Sequence, residues 1–176
     1  VPTIGVAIAV PEPWATELQD YRTSIGDPTA AGVPSHITLI PPLEVEGSLA
    51  DIEAHLEAAA RRHRAFRVHL RGTGTFRPVS PVVFISLAEG ISQCEQLADE
   101  VRGGPLDLEL DFPFHPHVTV AHHLGDRELD QAFDELASFE CSFDVVDFHL
   151  YVHQGELGWQ ASRTFPLASV ATDSTR

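Results

Sequence analysis

The chain writes one phrase twice, "HITL" at residues 36–39 and "HVTV" at residues 117–120. Each runs His, aliphatic, Thr, aliphatic, which is the period of a strand with one apolar and one polar face. Ile37 and Leu39 turn one way and His36 and Thr38 the other. Val118 and Val120 separate from His117 and Thr119 in the same manner. A fold that accommodates both phrases buries two aliphatic faces while leaving two imidazoles and two hydroxyls accessible. Two strands packed side by side through an approximate two-fold do this, and they bring all four polar groups to one cleft. A single His-x-Thr carries little information, since Thr favours strands in any case. Two copies, with Pro34 before the first and Pro116 before the second, are poorly explained by chance.

The flanking sequence supplies strands and helices in alternation. "TIGVAIAV" (3–10) reads as a buried strand. A helix follows Pro13, with Trp14, Leu18, Tyr21 and Ile25 on one face. The first motif strand is expected to stop at Pro41-Pro42, which cannot continue a ladder. Ser48 with Asp51 three residues on starts a helix carrying Leu49, Ile52, Leu56 and Ala59. "FRVHL" (66–70) and "VVFISL" (82–87) read as strands. A helix runs from about 91 to 101 and stops at Gly103-Gly104. "LDLEL" (106–110) alternates strictly, as a strand would. Asp126 is placed as the cap of a helix with Leu129, Phe133 and Leu136 facing inward. Val146, Phe148, Leu150 and Val152 alternate, Gly155 and Gly158 mark a hairpin turn, and "WQASRTF" (159–165) alternates again. The expected class is α+β with mostly antiparallel sheet. Residues 1–168 form one domain in this reading, with lobes of roughly 1–88 and 89–168, and 169–176 form a polar tail that frays.

Composition narrows the chemistry. Among 176 residues the net charge is −15 and every one of the 11 basic residues is Arg. Without Lys there is no P-loop lysine and no Schiff base. The acidity disfavours long nucleic acid, whose binding depends on neutralising phosphates. No apolar run approaches a membrane span, and the start lacks the basic segment of a secretory signal. Cys94 and Cys141 are too few for a disulfide scaffold, which fits reduced thiols in a cytoplasmic protein. No Gly-x-Ser-x-Gly elbow occurs, and neither Cys has a local His at a recognised spacing.

Two imidazoles and two hydroxyls in one cleft suit phosphate chemistry. A neutral imidazole takes a proton from water, an imidazolium gives one to a leaving oxygen, and hydroxyls donate to non-bridging phosphate oxygens. Imidazole titrates near 6.5, close to working pH. The scheme assigns His36 and His117 as catalytic and Thr38 and Thr119 as phosphate-binding, with no metal and no cofactor. Its rival is a metal-dependent hydrolase built on "HPHVTVAHH", where His115, His117, His122 and His123 lie in one stretch. Pro116 interrupts that strand and no carboxylate is in phase. His115 is therefore read as a cleft neighbour, and His122 and His123 as strand-exit residues. A third reading is a binding module that has lost turnover. Tyr151 and His153 point opposite to the apolar face of their strand, toward the cleft or toward water.

The pair "HITL" and "HVTV" resembles the two signature motifs of the two-histidine (2H) phosphoesterase superfamily, in its 2′-5′ RNA ligase-like branch. "SHITLIPPL", "GTGTFRPVSPVVFISL", "FHPHVTVAHHL" and "FHLYVHQGELGWQASRTFPL" extend the resemblance over nearly the whole chain. It implies a bilobal fold of two pseudo-symmetric antiparallel-sheet lobes, helices packed outside and a central cleft. It implies hydrolysis of a 2′,3′-cyclic nucleotide or a related cyclic phosphodiester, with 2′-5′ ligation as the reverse-type reaction. The partner would be a small cyclic-phosphate nucleotide or an RNA terminus. Phe76 and Arg77 sit where that family often lines its cleft, the ring to stack on a base and the guanidinium to meet phosphate.

Overall fold

The computed structural model describes residues 1–169; the fraying expected of the tail falls almost wholly outside them. The elements in chain order are β1 (Thr3–Ala9), α1 (Trp14–Ser24), β2 (His36–Glu44), α2 (Leu49–Arg61), β3 (Phe66–Thr75), β4 (Val82–Glu89), α3 (Ile91–Arg102), β5 (His117–His122), α4 (Asp126–Glu135), β6 (Glu140–Val145), β7 (Asp147–His153) and β8 (Trp159–Pro166), with a 3₁₀ turn at Gly155–Leu157 before the last strand. The architecture is α+β, as expected. The eight strands make one sheet in the order β6-β3-β4-β5-β2-β1-β7-β8, and each neighbouring pair is antiparallel.

The sheet divides at its middle, where the two motif strands β2 and β5 meet through a single pair, Ile37 with Val118. One half is β2-β1-β7-β8 and the other β5-β4-β3-β6. The halves interleave in sequence, so the chain does not part near residue 88: residues 66–89 stand with 117–145, and the final hairpin returns to the first half. The helices follow the approximate two-fold. α1, which joins β1 to β2, packs on β5; α3, which joins β4 to β5, packs on β2. Each motif strand thus has its aliphatic face covered by a helix from the opposite half, and Ile37, Leu39, Val118 and Val120 have no solvent exposure. Their burial is the main force holding the central seam closed, at about 1.5–3 kcal/mol per side chain. Among the described residues no helix is long and apolar enough to cross a membrane.

Four local expectations change. β2 runs on through Pro41-Pro42 to Glu44. The prolines are tolerated because β5 pairs with β2 only at Ile37, which leaves that edge of β2 without a ladder, and the pairing with β1 shifts register beside them. "LDLEL" is not a strand. Asp107 takes φ 40°, and the amides of Leu106 and Leu108 bond the carbonyls of Gly103 and Arg102 at the end of α3 instead of a neighbouring strand. Its alternation reports half-burial alone. The cap of α4 is Gly125, and Asp126 is the first helical residue. β6, "ECSFDV", was not anticipated, and Val146, expected to begin the next alternating run, is an exposed link between β6 and β7.

Candidate active site

The antiparallel register at Ile37 and Val118 carries the next residues out in a crossed arrangement. His36 comes opposite Thr119, and Thr38 opposite His117. All four are half-buried, whereas the residues between them are sealed, so the alternation read from the phrases is the alternation of the fold. The cleft on this face has a volume of about 410 Å³, within the range of small-molecule sites. His36, Thr38 and Thr119 line it. His117 is not among its lining residues; its ring packs against the rings of Phe76 (centroids 4.9 Å apart), Phe84 (5.2 Å) and His115 (5.8 Å).

The floor is made of small residues. Along β1, Gly5, Ala7 and Ala9 alternate with Ile4, Val6 and Ile8. Ala7 lies opposite Thr38, Ala9 opposite His36, and Gly5 opposite Tyr151. The large members face the core and the small ones leave space above the sheet, where the Trp159 ring from β8 would be in ordinary contact with a Cβ placed on Gly5.

The two imidazoles are pinned alike. His36 Nδ1 lies 2.8 Å from the Pro34 carbonyl oxygen, and His117 Nδ1 lies 2.6 Å from the His115 carbonyl oxygen. A carbonyl only accepts, so each Nδ1 carries the hydrogen and each Nε2 is left with its lone pair. Both rings are held below the ordinary imidazole pKa. For His36, burial lowers it, the Pro34 bond opposes, and the Arg22 cation lowers it further. For His117, burial brings it down to about 4; the His115 bond opposes, and the charges of His115 and His36 add to the lowering. Two neutral imidazoles with free Nε2 atoms are proton acceptors. An anion placed between them would raise both and favour the imidazolium a proton donor requires.

The remaining sequence candidates divide. Tyr151 is a wall of the cleft, 9% exposed, with its hydroxyl pKa raised by burial and by Asp147. Phe76 and His115 pack round His117 without lining the cavity. Arg77 does not reach it: its Nη1 donates to Asp130 at 2.8 Å and, at 3.5 Å, to Asp126, and its Nε donates to Thr75 Oγ1. Two carboxylates of α4 hold that guanidinium. His122 and His123, read as strand-exit residues, line the cleft and stack on each other at 3.7 Å. The stretch 115–123 therefore splits into two separate pairs of rings. Among the described residues no group of three or more His, Cys, Asp or Glu is arranged to hold a metal ion.

The sequence reading passed over Trp159, Phe84, Thr29 and Arg22. Trp159, Thr29 and Arg22 line the cleft; Phe84 supports His117. A signal existed for Arg22. It lies four residues after Leu18, on the inward stripe of α1, and a charged side chain there has either a buried partner or a site. Here it is 5% exposed and paired with Asp27 at 2.8 Å.

A family model described as the 2′-5′ RNA ligase superfamily matches residues 10–157. The chain belongs to that superfamily. Its relatives include a Bacillus licheniformis protein named "Putative phosphoesterase", 30% identical over 159 residues that cover 87% of this chain and 94% of the relative. A Bacillus cytotoxicus protein of the same description is 32% identical over 144 residues, covering 80% and 83%. Among solved structures, a Thermus thermophilus protein superposes with a TM-score of 0.67 at 26% identity, covering 95% of this chain and 98% of that one. Escherichia coli LigT complexed with NADP+ gives 0.66 at 22% identity, covering 95% and 99%. The LigT likeness is one of fold. Superfamily membership places the chain in an enzyme family of phosphoesterase and 2′-5′ RNA ligase type.

Proposed function

We propose that this superfamily member hydrolyses a 2′,3′-cyclic nucleotide, or a similar cyclic phosphodiester, to the 2′-phosphate without a metal. The observation that carries the reading is the crossed register at Ile37 and Val118, which sets each imidazole against the hydroxyl of the other motif. One Nε2 takes a proton from water while the water oxygen attacks phosphorus. The bond from phosphorus to the 3′-oxygen breaks, and the other ring, as imidazolium, gives its proton to that oxygen. Thr38 and Thr119 donate to the non-bridging oxygens. An RNA 5′-hydroxyl in place of water would give a 2′-5′ linkage by the same transfers. The superfamily match and the phosphoesterase-named relatives support the reaction class. Structures of LigT with 3′-AMP, ATP and phosphate support nucleotides as the ligand class.

The test is hydrolysis of the four 2′,3′-cyclic nucleoside monophosphates with excess chelator, the product isomer resolved by chromatography. Turnover to 2′-phosphates should persist with chelator. His36→Ala and His117→Ala should each cost about 10²–10⁴-fold. Thr38→Ala and Thr119→Ala should each cost less, since one hydrogen bond to a charged acceptor is worth about 1.5–3 kcal/mol. The double His variant should be little worse than either single one, because the two act as a unit. Wild-type rates in both single His variants would assign the histidines to structure and leave a binding module.

A further inference from the structure

We propose that Arg22 is the cationic member of the phosphate site, meeting the non-bridging oxygens of the bound phosphodiester through Nη1, and that Asp27 is the residue that positions it. The inference rests on the reading that a phosphodiester occupies this cleft.

The cleft has an unusual lining for a chain of net charge −15. Among the described residues that line it, Arg22 is the one permanent charge, and no Asp or Glu is present. Stability does not explain this arginine. A buried ion pair loses hydration on both sides, and apolar residues of similar volume commonly replace one without loss. The donor geometry points to a ligand. Nε donates to Asp27 Oδ2 at 2.9 Å. Nη2 donates to Thr29 Oγ1 at 2.6 Å and stands 2.8 Å from Asp27 Oδ2. Nη1 makes no hydrogen bond among the described residues. It is also not sealed: the side-chain atoms there that are both sealed and unpaired are Gln19 Oε1 and Ser35 Oγ. Two N–H groups of a guanidinium anchored by its other edge therefore remain unpaired on a residue that lines the cavity.

Asp27 holds that edge and is itself held in place. Its Oδ1 accepts from the Thr29 amide at 2.8 Å and from Thr29 Oγ1 at 2.6 Å. Its Oδ2 accepts from Arg22 and from the His122 amide at 3.1 Å. The carboxylate, with no side-chain exposure, ties α1 to the end of the second motif strand, so the guanidinium is indexed to that strand. Its charge reaches the site: it lowers the pKa of His36 and of His122. A planar fork anchored on one edge and free on the other suits two phosphate oxygens, and in a chain without Lys it is the available cation.

The test separates this assignment from the reaction itself by using inorganic phosphate as the probe. Its affinity is read from the imidazole signals of His36 and His117 by NMR, alongside turnover of 2′,3′-cyclic AMP. Arg22→Lys keeps the charge and the Asp27 partner but loses the fork. Arg22→Gln combined with Asp27→Asn removes the charge without leaving a buried carboxylate unpaired. Thermal melts identify the folded variants, and the Lys variant serves if the neutral pair does not fold. Phosphate affinity should fall by about 10- to 100-fold, in line with loss of charge-assisted bonds, and kcat/KM should fall at least as far. Asp27→Asn alone should weaken phosphate binding by a smaller factor while Arg22 is still present. Phosphate affinity within twofold of wild type in a folded Arg22 variant would overturn the assignment. Arg22-dependent phosphate binding in a wild type that turns over no cyclic nucleotide would uphold it and remove the reaction.

Discussion

The imidazoles of His36 and His117 sit in surroundings that disfavour their charged forms, and this has a kinetic consequence. In the free protein both titrate below the ordinary value of about 6.5, His117 at about 4. A reaction that needs one ring neutral and one charged runs fastest between the two apparent values of the coupled pair. The kcat/KM profile, which reports the free protein, should therefore be a bell with its maximum below pH 6.5. Bound phosphate raises both rings, so the kcat profile should peak at higher pH. Coincident maxima would mean that the substrate's charge does not reach the pair. The half-buried face that both histidines and both threonines share was legible in the sequence because strand alternation acts locally. Arg22 was not selected, although its place on the inward stripe of α1 was visible, because its use depends on Asp27 and on the end of β5.

At the scale of the element, the wall behind His117 depends on a missing side chain. A Cβ at Gly74 on β3 would stand 2.6 Å from two ring carbons of Phe84. Phe84 in turn packs on Phe76 at 4.5 Å and on His117 at 5.2 Å. Gly74→Ala should push the ring outward, destabilise by about 1–3 kcal/mol through overpacking, and lower kcat by displacing His117. Phe84→Leu in the same chain should recover much of the stability but not the rate. A double-mutant cycle by urea unfolding and steady-state kinetics checks this; additive stabilities would show that the two residues do not meet. Alternation located most strands but misread two segments. In "LDLEL" it arose from a loop lying half-buried after α3. In "ECSFDV", an edge strand, the alternation of Glu140, Ser142 and Asp144 with buried Cys141, Phe143 and Val145 is strict but was passed over in a run of only six residues.

For the whole molecule, half-buried histidines whose charged forms are disfavoured make stability depend on pH. The folded pKa values of His36, His117 and His122 lie below their unfolded value. Between about pH 6.5 and 5 the unfolded chain therefore takes up protons that the folded chain does not. Stability should be complete above the unfolded pKa and fall as pH drops through this window. His117 contributes on the order of 3 kcal/mol at most by the time its folded pKa is reached. Urea midpoints at pH 7.5, 6 and 5 measure the slope, and His117→Gln should flatten it. An unchanged slope would place the titrating groups elsewhere.

The sequence by itself determined the two motif strands, the face each presents and the α+β class, because period-two alternation is a property of adjacent residues. Tertiary structure alone decided how the sheet is shared between the halves, since β3 and β4 join β5 and β6 while β7 and β8 return to β1. It also decided which distant side chains line one cleft: Tyr151, Trp159, Arg22 and the His122-His123 stack. Those meetings follow from pairing and packing between segments far apart in sequence, whose free energy depends on the assembled sheet.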